Sequence, residues 1–426
     1  MKIRFLVYFF TILFLPLKAQ PPVYEDWFDD QSMRVDFLLA GDHEETHVFL
    51  HDIHHESGWA GSRKNLLFPF YYGKYFMVIR DSATEKEIFS QGFNTLFGEW
   101  QTTMEAQRTK RSFEQSFVFP RPISPFLIEL YKRESMDQSN LLFQSYIAPS
   151  SYLIENRRPV AYETAEIQIS GDPSSHVDLV YIAEGYTQKE QEVFLQDVKR
   201  FNAYLFRMQP YSERMEDFNV RVVMPFSEDS GPDIPGEDIW NKTILDASFY
   251  TFGSERYLTS SSYWKIRDVA SSVPYDHIIV LVNSPKYGGG GIFNHYSVFS
   301  SGHQNSPEVF VHELGHGFAG LGDEYYSSSV AYSEFYKLDK EPLVPNLTTL
   351  VDFDSKWKDM LDQDIPVPTP ANAEYAGKTG VFEGGGYSAK GIYRPANNCR
   401  MKSNTAEGFC PVCREAIGKM IDYYLE

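Results

Sequence analysis

The sequence predicts a multidomain chain, an N-terminal β-sandwich followed by an α/β (α+β) domain. Three observations carry this. The 426 residues exceed what a single hydrophobic core usually organises. Up to about residue 160, apolar positions alternate with period two and are rich in β-branched and aromatic residues. Beyond that point strand-like runs alternate with helical periodicity, the pattern of an α/β layer.

Residues 1–20 read as a signal peptide. Lys2 and Arg4 precede an apolar run from Phe5 to Leu17, and Ala19 offers a small residue for cleavage near Gln20. The run is short for a membrane span and Pro16 interrupts it; an uncleaved anchor is the rival reading. No later stretch is long and apolar enough to span a bilayer. The expectation is an exported mature protein without a membrane span, in the periplasm, at the cell surface or secreted.

Residues 21–160 form the expected β-rich domain. Met33 to Leu39, Tyr75 to Arg80, Ser112 to Phe119 and Phe126 to Tyr131 are its candidate strands, punctuated by Pro120, Pro122 and Pro125. Two sheets packed face to face are the expected form. His47, His51, His54, His55 and Glu56 cluster here, but their spacing matches no metal motif, so they read as ordinary loop and strand residues. Pro149 to Pro159, with Arg157-Arg158, reads as a linker.

The domain at 161–426 opens with a strand, Val177 to Ala183. Thr187 is a plausible N-cap for a helix from Gln188 to about Met208, with Pro210 beyond. Phe218 to Pro225 and the apolar His277 to Val282 read as strands, and Ser262 to Ser271 as a short helix. The run Gly288–Gly291 lacks the Lys-Ser/Thr of a phosphate loop and reads as a turn into an edge strand, Ile292 to Ser300. Such an edge could pair with an extended peptide. Val412 to Leu425 reads as a closing amphipathic helix.

The chemistry-bearing stretch is His312-Glu313-Leu314-Gly315-His316. Histidines four apart share one face of a helix, so their imidazoles can converge on one Zn²⁺ while Glu313 projects toward a metal-activated water. A catalytic zinc needs a third protein ligand and an open position. Asp323 is the leading candidate, beyond Gly320 and Gly322, which permit a reversal of the chain; Glu324 is the rival. The metzincin pattern is H-E-x-x-H-x-x-G-x-x-H/D. Here Ala319 stands where the pattern has glycine, and Gly320 follows, so the helix end carries one extra residue while the Gly320-to-Asp323 spacing is kept.

The string HELGHGFAGLGDEYY, with Asn398-Cys399-Arg400-Met401 and Phe409-Cys410-Pro411-Val412-Cys413-Arg414-Glu415 downstream, resembles the IgA-peptidase-like family of zinc metallopeptidases. The resemblance runs from about Ala165 to the C-terminus. It implies a metzincin-like zinc metallopeptidase domain with His312, His316 and Asp323 as metal ligands, Glu313 as catalytic base, and Met401 beneath a single Zn²⁺. Tyr325, Tyr326, Tyr387 and Tyr393 are candidates for stabilising the oxyanion.

The three cysteines, Cys399, Cys410 and Cys413, all lie near the C-terminus. Export permits a disulfide from Cys399 to Cys410 or Cys413, leaving one thiol; buried free thiols are the alternative, and a second zinc site lacks an evident fourth ligand. A formal net charge of -19, from 39 basic and 58 acidic residues, argues against nucleic acid as a partner. The expected substrate is a protein or peptide, a host glycoprotein among the candidates, and the expected activity is endopeptidase hydrolysis. The competing reading is an adhesion or binding protein whose peptidase half is inactive or narrowly specific.

Overall fold

The computed structural model describes residues 21–155, 160–326 and 335–425. The signal-peptide reading of residues 1–20, and the Arg157-Arg158 part of the expected linker, lie outside the described residues.

The N-terminal part holds two antiparallel sheets. After a short helix α1 (Tyr24–Trp27), β1 (Phe28–Gly41) pairs with β2 (Thr46–Gly58) on one side and β5 (Arg111–Pro122) on the other. The second sheet has the order β4 (Glu87–Phe93), β3 (Tyr75–Asp81), β6 (Phe126–Arg133), β7 (Ser139–Ile147). Met33, Val35, Phe37 and Leu39 of β1 alternate into one core with Met77 and Ile79 of β3, Phe117 and Phe119 of β5, and Ile128 and Leu130 of β6. The strands the sequence reading left unmarked, β2, β4 and β7, are all sheet edges, where a polar outer side blurs the alternation. A one-turn helix, α2 (Leu96–Trp100), follows β4; the Thr95 hydroxyl caps it by accepting from Gly98 N at 2.8 Å.

The second part is built on a six-stranded sheet. Its strands are β8 (Glu163–Gln168), β9 (Val177–Glu184), β10 (Phe218–Met224), β13 (His277–Val282), β14 (Gly289–Ile292) and β15 (Tyr296–Ser300); a two-residue ladder, β11 (Ala247–Ser248) with β12 (Thr259–Ser260), stands apart. The order is β14-β15-β13-β9-β10-β8. The four central strands are parallel, and both edges, β14 and β8, are antiparallel. Every residue of β9, β10 and β13 is buried, which is why they read as unbroken apolar runs. Helices α3 (Gln191–Leu205), α5 (Ser306–Ala319) and α6 (Pro411–Leu425) pack into one core, and α4 (Tyr263–Ala270) into a second core built on other residues of the same strands. A hairpin of β16 (Phe382–Gly385) and β17 (Ser388–Arg394) follows α5.

One sequence expectation is corrected here. The glycine run is not a turn leading into an edge strand: Gly289–Ile292 is itself the edge, and Tyr296–Ser300 lies inside the sheet, parallel to β13. The reason is steric. A side-chain carbon at Gly291 would fall 2.3 Å from the Glu313 carbonyl oxygen, and one at Gly289 would fall 2.9 Å from Glu313 Oε1. Only a strand without side chains can lie this close to α5.

The two parts are bolted together. Arg34 of β1 is fully buried; it pairs with Asp36 and reaches across to Asp268 Oδ1 at 2.8 Å and to the Trp264 carbonyl at 2.9 Å, both on α4. Trp264 in turn donates its indole N–H to Gln115 O at 3.0 Å and stacks on His51 with centroids 4.1 Å apart. Two further bonds, Asn94 N to Phe293 O at 2.9 Å and Asn294 Nδ2 to Gly92 O at 2.7 Å, fix the end of β4 beside the β14–β15 turn.

Candidate metal and active site

Helix α5 carries Pro307 in its first turn, where a missing N–H costs nothing, and ends at Gly320 with φ 64°. Leu321 N bonds back to Gly315 O at 3.1 Å, and Gly320 N to His316 O at 3.0 Å. This left-handed cap turns the chain sharply, so that Asp323 returns over the face carrying both histidines. The extra residue, Ala319, is the last of the helix.

Three atoms meet above that face. His312 Nε2 and His316 Nε2 are 3.1 Å apart. Asp323 Oδ1 lies 3.1 Å from the first and 3.2 Å from the second. Each imidazole donates its other N–H to a carbonyl, His312 Nδ1 to Arg400 O at 3.0 Å and His316 Nδ1 to Leu321 O at 2.6 Å. In the neutral rings, therefore, both Nε2 atoms present lone pairs to a carboxylate oxygen that is buried and has no hydrogen-bond donor. Three acceptors facing one another call for positive charge between them, which a metal ion or a proton supplies. Nitrogen and oxygen ligands about 2.0–2.1 Å from a tetrahedral zinc stand roughly 3.3 Å apart, close to this triangle.

The electrostatics show the same demand for positive charge. Burial lowers the His316 imidazolium, but the facing Asp323 carboxylate outweighs it and lifts the group to about 9, so that without a metal ion a proton on His316 takes that place. Asp323 is buried too, yet His316 and His312 hold it well below the usual carboxylate range. Burial pushes Glu313 up, against the pull of both histidines. Glu313 leans from the helix toward β14 and lines the same cleft. The donor set, two imidazoles and one carboxylate, suits zinc.

Met401 packs from below. A side-chain carbon at Gly315 would meet its sulfur at 2.8 Å, so the glycine inside the motif makes room for it. Met401 is fully buried, and its carbonyl accepts from Glu324 N at 2.9 Å.

The triangle lies in a cleft of about 400 Å³. Among the four candidate tyrosines, Tyr325 and Tyr387 line it. Tyr387 donates its hydroxyl to Asp323 Oδ2, and Tyr325 stacks beside His312 with centroids 6.4 Å apart. Tyr326 packs under the Arg394 guanidinium, and Tyr393 pairs through its backbone with Thr348; neither lines the cleft. Sequence reasoning missed Arg256, Tyr257 and, from the N-terminal part, Glu99. The Tyr257 hydroxyl donates to Glu99, whose carboxyl burial pushes up to about 7. No motif marks these three; only the docking of the two parts brings them together.

Of the two carboxylates that sequence left open, Asp323 faces the imidazoles and Glu324 faces the cysteines. Glu324 Oε1 is 3.1 Å from Cys413 Sγ and 4.0 Å from Cys410 Sγ. The expected disulfide is not formed. All three cysteines are buried thiols, and Cys399 Sγ and Cys413 Sγ stand 3.7 Å apart. The physical reason is that the sulfurs surround a common space with Glu324 rather than pairing off. The five-residue group of His47, His51, His54, His55 and Glu56 gathers no such set of ligand atoms among the described residues.

The model of one protein family, IgA Peptidase M64, matches residues 165–375 and 371–421. The model of a second, Peptidase M64 N-terminus, matches residues 23–144. No curated protein matches the chain.

Proposed function

The chain belongs to the IgA peptidase M64 family and is a peptide-bond hydrolase; from that premise we propose that it is an exported, zinc-dependent endopeptidase. The observation that carries the zinc is the triangle of two imidazole nitrogens and one donorless carboxylate oxygen, 3.1–3.2 Å on a side. His312, His316 and Asp323 would hold the ion. When bound, zinc supplies Lewis acidity, activating water and polarising the scissile carbonyl.

The remaining chemistry falls to side chains. Glu313 takes the proton of the attacking water and delivers it to the leaving amine, since both imidazoles are committed at both nitrogens. Its raised affinity for protons, caused by burial, suits a group that must both accept and release one. Tyr325, beside His312 and under the Arg256 guanidinium at 6.0 Å, is the best-supported partner for the oxyanion. Tyr387, already committed to Asp323, orients a ligand.

The substrate is a protein or peptide, a host glycoprotein among the candidates. An extended chain entering the cleft would run beside β14. There the backbone of Gly289 is already bonded to Arg256 and Leu258, so pairing would begin beyond it. Residues 21–160 would form a β-sandwich that walls one side of the cleft, and 161–426 a metzincin-like catalytic domain. Export rests on the charged, apolar and small-residue pattern of residues 1–20. Among the described residues no helix is long and apolar enough to cross a membrane. An inactive binding protein is the weaker reading, because the base and the ligand triangle are intact together.

The test combines metal content with casein cleavage for wild type and Glu313→Ala. The proposal expects zinc in both and cleavage in wild type only. Equal cleavage by the variant would remove Glu313 from its role, and metal-free protein at full activity would remove the zinc.

A further inference from the structure

A second cluster of ligand atoms lies on the far side of the 323–324 peptide. Glu324, Cys399, Cys410 and Cys413 each offer one atom, and these atoms all lie within 4.8 Å of one another. All four residues are buried. We propose that this cluster is a second metal site, structural rather than catalytic, that binds a thiophilic divalent cation such as zinc through three thiolates and one carboxylate.

The geometry has the right scale. Two sulfurs each about 2.3 Å from a tetrahedral zinc stand roughly 3.8 Å apart; Cys399 Sγ and Cys413 Sγ are 3.7 Å apart. A sulfur and an oxygen around the same ion stand roughly 3.5 Å apart. Glu324 Oε1 lies 3.1 Å from one sulfur and 4.0 Å from another, bracketing that value.

The second, independent observation is the carboxylate itself. Glu324 is fully buried; Oε1 accepts from Asn346 Nδ2 at 3.0 Å, but Oε2 has no hydrogen-bond partner. A buried carboxylate left ionised in that state costs several kcal/mol, so it takes up a proton or is met by a cation or a full set of donors. Arg394 and Lys402 lie within electrostatic reach of Glu324, but Arg394 spends its N–H groups on the carbonyls of Glu383, Gly384 and Ala396, and Lys402 on that of Asn397. Their positive charge would instead offset the surplus of four anionic ligands over one divalent ion.

The sulfurs are also prepared. Cys410 and Cys413 flank the first residues of α6, a 15-residue helix whose N-terminus favours thiolates. Cys410 N donates to Cys399 Sγ at 3.3 Å. A disulfide between any two of the three would strand the third thiol and leave Glu324 uncompensated. One cation uses all four groups and releases the thiol protons on binding.

The site would act at a distance of one residue from the catalytic centre. Glu324 follows Asp323. Cys399 precedes Arg400, whose carbonyl orients His312, and Met401, whose carbonyl receives Glu324 N. A metal here would clamp the loop that brings Asp323 to the loop that supports His312.

The experiment uses the full mature chain, purified without chelator, with zinc counted by plasma mass spectrometry and Co²⁺ exchanged in as a spectroscopic probe. Wild type is expected to hold two zinc equivalents, and the His312→Ala/His316→Ala variant one. The Co²⁺ form of that variant should keep a near-ultraviolet thiolate-to-cobalt charge-transfer band, which Cys413→Ser weakens or abolishes. Because the band is read in protein with intact cysteines, the proposal does not depend on the cysteine variant folding. Absence of the band in both wild type and the histidine variant overturns it. So does a single alkylatable thiol in protein denatured without reductant, which means a disulfide. One equivalent in wild type and in the histidine variant alike, with the band present, supports this site and removes the catalytic ion instead.

Discussion

Tyr387 donates its hydroxyl to the Asp323 carboxylate from the tip of the β16–β17 hairpin. The hairpin is also stitched to the same loop by its backbone, Gly386 N to Asp323 O at 2.8 Å and Tyr387 N to Tyr325 O at 3.1 Å. Gly386 and Tyr387 form its two-residue turn, with φ 54° and 66°. Left-handed backbone is normal for glycine and costs a tyrosine about 1–2 kcal/mol. The strained residue is the one whose side chain reaches the proposed ligand.

Tyr387→Phe should therefore weaken zinc binding without unfolding the chain. Loss of an outer hydrogen bond to a metal ligand typically lowers affinity by about 10–100-fold. Competition against a chromophoric chelator measures it; unchanged affinity would show that Asp323 needs no such support.

Glu313→Gln keeps the shape and removes the proposed base. We expect kcat to fall by about 10²–10⁴-fold, with the metal content intact. A comparable rise in KM with kcat unchanged would point to substrate binding instead.

Gly291→Ala should abolish cleavage through geometry alone. The added carbon would meet Glu313 O at 2.3 Å and His316 Cβ at 2.8 Å, so β14 must shift away from α5. Gly253→Ala is the control, since nothing lies within 4 Å of that position; its φ of 79° still predicts a modest loss of stability. Peptide hydrolysis and thermal melting of the two variants separate the effects.

Acid should destabilise the catalytic half through His277. Its Nε2 donates to Ser297 Oγ at 2.9 Å, because that hydroxyl's own proton goes to Glu313 O at 2.9 Å. Burial, aided by Arg267, lowers its pKa from 6.5 to about 3. With the folded value depressed, the contribution is present above pH 6.5 and is lost as pH falls toward 3. At full development it is on the order of 5 kcal/mol. His295, buried against Tyr263 at 3.5 Å, is also lowered and acts in the same direction. Melting temperature against pH for wild type and His277→Gln checks this; equal slopes between pH 4 and 7 would refute it.

Much of the fold was legible because its pattern is local. Val177–Glu184, Phe218–Met224 and His277–Val282 are buried on both faces, and Thr187 with Glu190 forms the capping pair that opens the α3 region. The His312/His316 pairing is equally local, a matter of helical spacing. What escaped was long-range. Glu99 carries no motif and reaches the cleft only because Arg34, Asn94 and Trp264 dock the two halves. Glu324 could not be assigned to the cysteines because its neighbour Asp323 competed for the same role, and only the backbone turn after Gly320 sends the two side chains in opposite directions. The glycine strand was misread because its reason is the helix lying against it.

The docking of the two halves also bears on how this enzyme should be studied. Asn94 and Glu99 form part of one bank of the cleft, and the Arg34 guanidinium holds that bank in place from inside the fold. A protein trimmed to residues 161–426 would lose that bank, uncover Trp264 and Asp268 on α4, and hydrolyse a broader range of peptides with weaker grip. Selectivity profiles taken on such a fragment would describe half an enzyme.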